Sequence, residues 1–103
     1  MNIQKLMKEA QRAQQKMAEA QERLAEMTVE GSAGAGMVTA VAKGDGTIAS
    51  VRIDRSVVDP EDVEMLEDLV TAAVSEAQRR AKELQERELG SVMGGMAGLG
   101  GLF

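Results

Sequence analysis

Met37-Val-Thr-Ala-Val-Ala-Lys-Gly-Asp-Gly-Thr-Ile-Ala-Ser-Val-Arg-Ile53 decides the fold. Two runs rich in β-branched residues flank Gly44-Asp45-Gly46, the composition of a tight turn between antiparallel strands. They predict strands over 37–43 and 47–53. Side chains alternate across a strand. Val38, Ala40 and Ala42 therefore share one face, with Met37, Thr39 and Val41 on the other. In the second run Ala49, Val51 and Ile53 oppose Ile48, Ser50 and Arg52. Both faces read as fairly apolar. The expectation is a sheet covered by helices on one side and partly by a partner on the other. Val38, Val41, Ile48, Val51 and Ile53 are the expected core and dimer packing residues.

Working outward toward the N-terminus, residues 28–31 read as a short third strand. Gly31-Ser-Ala-Gly-Ala-Gly36 reads as a turn needing positive φ. A phosphate cradle is the other reading, but the order G-x-x-G-x-G is not the nucleotide fingerprint, and a strand follows where a helix N-terminus is required. Ahead of it, residues 2–27 form a heptad with Asn2 as N-cap. Ile3, Ala10, Met17 and Leu24 occupy one seam position, and Leu6, Ala13, Ala20 and Met27 the other; all eight are apolar. Such a helix is roughly 39 Å long, more than the ~34 Å width of a compact domain this size, so part of it must project.

Toward the C-terminus, Asp59 as N-cap, Pro60 at N1 and Asp62 at N3 open a second long helix expected over 60–89, stopping at Gly90. Residues 90–103 hold six glycines in fourteen. They are expected to form a flexible tail, with a docking or self-association role as the other reading. Residues 1–89 thus make a single α+β domain, helix, three-stranded antiparallel sheet, helix.

The totals narrow the function. The chain of 103 residues has no Cys, His, Trp or Tyr, which excludes thiolate and imidazole metal sites, nucleophiles and bases. No nucleophile–base pair can be assembled, so no enzyme and no cofactor is expected. Three carboxylates share a face at Glu61, Glu64 and Asp68, but acids at an exposed helix start usually serve the helix dipole. No apolar run approaches a membrane span, and the expectation is a soluble cytoplasmic protein without membrane contact. Of the 45 apolar residues, fifteen are Ala and eight Met. So little bulky volume favours association, most simply a two-fold dimer.

Charge is zoned. The net is −5, yet residues 1–18 carry four cations and one anion, while 59–68 carry six anions and no cation. On a helical wheel Lys5, Lys8, Arg12, Lys16 and Arg23 fall within an arc of about 80°. Two readings fit: an ordinary solvated face, or a row for phosphates. The second gains from the dipole. Cations near the start of this helix, with Glu19, Glu22 and Glu26 near its end, oppose the local preference by roughly 0.3–1 kcal/mol per group. Function can override such preferences, and screening over about 8 Å lets a local ridge act despite an acidic average. Arg79 and Arg80 lie among Glu76, Glu83, Glu86 and Glu88, where i,i+4 pairs Glu76/Arg80, Glu83/Arg87 and Lys82/Glu86 are expected. A secondary phosphate contact is their other reading.

Leu6-Met-Lys-Glu-Ala-Gln11, Gln15-Lys-Met17, Glu30-Gly-Ser-Ala-Gly-Ala-Gly-Met-Val38, Val51-Arg-Ile-Asp54, Glu64-Met-Leu-Glu-Asp-Leu-Val70 and Ala77-Gln-Arg-Arg80 together resemble the YbaB/EbfC family of bacterial nucleoid-associated proteins. The likeness runs from residue 3 to 90. It implies an α-β-β-β-α protomer and a tweezer-like homodimer formed through the sheets. It also implies a place in the nucleoid and binding of double-stranded DNA through the long helices, onto Lys5, Lys8, Arg12 and Lys16 first and Arg79 and Arg80 second. Roles in nucleoid organisation, gene expression and DNA protection come with it. The rival reading is an adaptor whose projecting helices clasp a replication or recombination protein. A third is a purely structural dimer.

Overall fold

A computed structural model describes residues 2–100, with side chains as far as Val92. The order is α1 (Ile3–Glu26), β1 (Thr28–Ala33), β2 (Val38–Lys43), β3 (Ile48–Ile53), a 3-10 turn (Arg55–Val57) and α2 (Val63–Gly100). This is the expected α-β-β-β-α, α+β architecture. Asn2 caps α1, its side-chain oxygen accepting from the Gln4 and Lys5 backbone N–H groups at 3.1 and 3.4 Å. The chain then turns extended at Met27.

The sheet is antiparallel in the order β1-β2-β3. Its core face presents Val38, Ala40 and Ala42, which pack against Ala73, Ala77 and Ala81 of α2, all fully buried. Alanine on alanine brings the two backbones close. Gly31 closes the same contact: a Cβ there would overlap the Ala77 backbone nitrogen and lie 2.5 Å from the Ala73 carbonyl oxygen. The expected role of Gly31 in the turn is therefore corrected. It lies inside β1, opposite Ala40, and positive φ is confined to Gly34, Ala35 and Gly36 in that turn.

The expected apolar back of the sheet is also corrected. Val41 pairs with Ser50 but Ala42 with Ile48, so Ala49 is an extra residue in a bulge. The bulge rotates Ile48 onto the core face beside Val51 and Ile53. What remains behind is polar: Glu30, Ser32, Thr39, Ser50 and Arg52 with only Val41 among them. Of the five expected packing residues, Val38 is fully buried and Ile48 packs against the core. Val41 is half-buried behind the sheet, and Val51 and Ile53 stay exposed at 39% and 38%. They lie on β3, an edge strand that α2 covers only in part.

Two helix boundaries differ from expectation. Asp59 caps a separate turn, accepting from the Glu61 N–H at 2.9 Å. The helix itself begins after Asp62, whose carboxylate accepts from the Met65 N–H at 3.2 Å, a cap reaching three residues on. At the other end α2 passes through Gly90 to Gly100. Gly90 does not make the left-handed turn that a glycine stop requires. α1 runs alongside, burying Ala20 and Leu24, while Leu84 and Val92 are buried on α2; packing, not propensity, decides helix length here. Of the expected tail, residues 101–103 lie outside the described residues. The result is elongated, 71 × 20 × 16 Å, with a radius of gyration of 19.9 Å against about 13 Å for a compact chain this long.

Candidate nucleic-acid interface

The candidate interface lies on the arm that α1 and the distal part of α2 form. Leu6, Glu9, Ala13, Met17, Ala20 and Leu24 are the buried or half-buried positions of α1; the five apolar ones turn that part of the heptad seam toward α2, while its members Ile3 and Ala10 stay exposed. That leaves the cationic arc outward. Lys5, Lys8, Arg12 and Lys16 are all exposed, and among the described residues none has a carboxylate within 4 Å. After Leu89 the sequence of α2 contains no charged residue. The outer arm therefore carries a side-chain charge of +3 from residues 1–18, with −8 left on the rest of the chain. One carboxylate interrupts the ridge: Glu9 Oε2 is buried without a hydrogen-bond partner among the described residues.

The fifth cation of the arc is not free. Arg23 Nη2 stands 3.5 Å from Glu88 Oε2 on α2. Arg79 and Arg80 are more firmly engaged. Arg79 holds Glu76 at 2.7 Å and also Glu83, and Arg80 Nε lies 3.0 Å from Glu76 Oε1. Of the expected pairs only Glu76/Arg80 forms among the described residues; Arg79 takes the Glu83 carboxylate expected to serve Arg87. Hydrogen bonding from Arg79 above all, then from Arg80, holds the Glu76 carboxyl down to about 2. Both arginines are thus spent on their own helix. Sequence spacing could find the i,i+3 and i,i+4 partners, but not Glu88, which is 65 positions from Arg23.

The base of the arm is clasped to the sheet. Gln85 of α2 donates to the Gly44 carbonyl at 2.7 Å, and the Gly44 N–H donates to Met27 O at 2.8 Å. The β2–β3 hairpin is thereby tied to both helices, which fixes the direction in which the cations project. No group of His, Cys, Asp or Glu suited to a metal ion occurs among the described residues, and no described helix is long and apolar enough to cross a membrane.

Comparison with known proteins gives a consistent answer. Residues 1–96 match the model of the YbaB/EbfC DNA-binding family. A nucleoid-associated protein of Saccharopolyspora erythraea is 52% identical over 98% of this chain and 90% of its own. One from Acetivibrio thermocellus is 51% identical over 99% and 90%. The crystal structure of an uncharacterized Helicobacter pylori protein superposes with a TM-score of 0.80, covering 90% of this chain and 98% of that one, at 18% identity; that likeness concerns the fold alone.

Proposed function

The chain belongs to the YbaB/EbfC DNA-binding family, and on that premise we propose that it acts in the bacterial nucleoid as a homodimer that grips duplex DNA with Lys5, Lys8, Arg12 and Lys16. The observation that carries this is the set of four exposed cations, without an ion pair among the described residues, on an outer arm with a single counter-charge. Contacts of this kind go to phosphates and carry no base information directly; no set of base-reading side chains accompanies them. Recognition therefore rests on backbone and shape. Nucleoid organisation, effects on gene expression and protection of DNA follow from coating and bending. Arg79, Arg80 and Arg23 play a lesser part, since each already has an anionic partner.

Dimerisation draws support from the β3 edge. Val51, Ile53, Val58 and Val63 leave apolar surface exposed beside an unpaired strand, the kind of edge proteins cover. Two protomers with four cations each neutralise eight phosphates, giving a log–log salt slope of about −7. Fluorescence anisotropy with random-sequence duplex across a salt series tests it. Changing the four cations to Glu should abolish binding while the dimer persists; unchanged affinity and slope would remove the ridge from the mechanism. The adaptor reading takes its support from Ile3 and Met7, 70% and 59% exposed. It requires that random duplex is not retarded at moderate salt, and that recovery of a replication or recombination protein is lost when Leu6 or Met7 is made polar.

A further inference from the structure

α1 has a third face. Met7, Gln11, Gln14, Ala18, Gln21 and Ala25 recur at alternating spacings of four and three residues. That is a second heptad seam, rotated about 110° from the one on α2 and about 140° from the cations. All six residues are exposed. Nine of the 24 residues of α1 are charged, yet none lies on this face. At its base Gln21 and Ala25 border a cleft of about 400 Å³ completed by Leu24, Asp45, Gln85 and Leu89. Near its outer end Met7 stands 59% exposed. The face thus offers an unbranched, adaptable apolar side chain at one end and a receptacle at the other.

These features complement one another in only one sense of pairing. An antiparallel copy of α1, centred between Gln14 and Ala18, sets Met7 against Ala25, Gln11 against Gln21, and Gln14 against Ala18. Large meets small, amide meets amide, and each Met7 enters the other copy's cleft. The match is isologous, as a two-fold contact requires. A 24-residue helix is about 36 Å long. A strip of that length and roughly 10 Å width buries about 700 Å² in total, below the ~1,000 Å² of a contact stable by itself. We infer that this face is a DNA-dependent contact: α1 of a second copy docks antiparallel upon it when neighbouring proteins are concentrated on duplex. Tethering to one polymer supplies the effective concentration that the small area lacks. The cations point elsewhere on the helix, so DNA and the second copy are held together. This rests on the DNA-binding reading above.

The chain has no cysteine, so single thiols report cleanly. Gln14→Cys and Ala18→Cys proteins, mixed with a mild oxidant, should form the mixed disulfide at least tenfold faster with duplex present than without it. Ala18→Glu, at an exposed site and with a good helix former, should keep the affinity and salt slope of the first complex and lose the slower-migrating ones in a gel shift. Gln14→Lys/Ala18→Glu should restore them, since each introduced ammonium then faces an introduced carboxylate on the other copy. Persistence of the slow complexes in Ala18→Glu overturns the inference. Equal crosslinking with and without DNA also overturns it, by assigning the face to the resting dimer. Failure of the unaltered protein to retard duplex overturns the DNA reading instead, and is distinguished by the absence of any first complex.

Discussion

Arg23 of α1 and Glu88 of α2 meet at 3.5 Å across the base of the arm, and this pair marks where the usable ridge of cations ends. Outward of it, α2 has no charge after Glu88, and among the described residues no further cation of α1 has a carboxylate within 4 Å. Glu88→Gln should release Arg23 and steepen the salt slope of DNA binding by about two for the dimer, one phosphate per protomer. Arg23→Ala should leave the slope within about half a unit of the parent. Either change costs at most about 1 kcal/mol of stability, because the pair is half-exposed. A slope that flattens in Arg23→Ala as much as in Lys16→Ala would show that the pair opens on DNA.

Glu9 offers a test with the opposite sign. It is the one acid among four cations, and its Oε2 is buried without a partner among the described residues. Glu9→Gln should tighten DNA binding roughly two- to fivefold at low salt, the size expected for removing one repulsive charge about 8 Å from a phosphate. Anisotropy titrations measure it; weaker binding would mean that Glu9 orders the ridge.

Much of the fold was legible in sequence because its signals are local. The heptad fixed α1 to within a residue at each end, and period-two alternation put Val38, Ala40 and Ala42 together on one face; that this is the buried face comes from the packing of α2. Errors arose where tertiary contact overrode local chemistry. A helix crossing β1 makes Gly31 a close-packing residue, although its neighbours Gly34 and Gly36 do form the turn. The Ala49 bulge has no local mark, and one extra residue sends Ile48 to the other face. At Gly90 the flanking α1 keeps α2 helical past a stop signal. The cationic arc was visible on the wheel, but which members are free depends on how two helices cross, and that lies outside any window of sequence.

Gly31→Ala tests the close crossing directly. Its Cβ would overlap backbone atoms of α2, which cannot rotate away as a side chain can. The helix must lift off Ala40 and its neighbours, costing about 1–3 kcal/mol as overpacking does. Urea denaturation should show that loss in the midpoint. Gly36→Ala, with open space around it but a φ of +87°, should cost only about 1 kcal/mol. Equal losses at the two sites would mean that the β1–α2 contact yields.

Acid should act through Glu76. Its carboxyl is held down to about 2, chiefly by the hydrogen bonds from Arg79. A group whose pKa is depressed on folding contributes stability that is complete above its unfolded value of about 4.3 and fades as pH falls through the folded value. Urea midpoints of the parent should therefore decline between about pH 4.5 and 2 more steeply than those of Glu76→Gln. The same variant leaves Arg79 and Arg80 without their shared partner. If α2 touches DNA at all, its salt slope steepens; an unchanged slope confines the grip to α1.

On the proposed dimer, the apolar edge formed by Val51 and Ile53 should tie assembly to affinity. Both lie on β3, on the part of the sheet face that α2 leaves uncovered, and each is more than a third exposed. Burying such side chains stabilises by about 25 cal/mol for every Å² removed from water, whereas an aspartate placed there would have to be desolvated without a partner. Val51→Asp/Ile53→Asp should therefore leave the protomer folded, since neither residue supports the Val38–Ala77 core, and convert the dimer to a monomer in sedimentation equilibrium. The monomer keeps Lys5, Lys8, Arg12 and Lys16. Its salt slope should fall from about −7 to about −4, half the phosphates being engaged, and its affinity should drop far more than any single ridge substitution achieves. A variant that stays dimeric would move the subunit contact away from β3. One that becomes monomeric with its slope intact would mean that a single arm already engages every phosphate, and the paired-arm account would fail there.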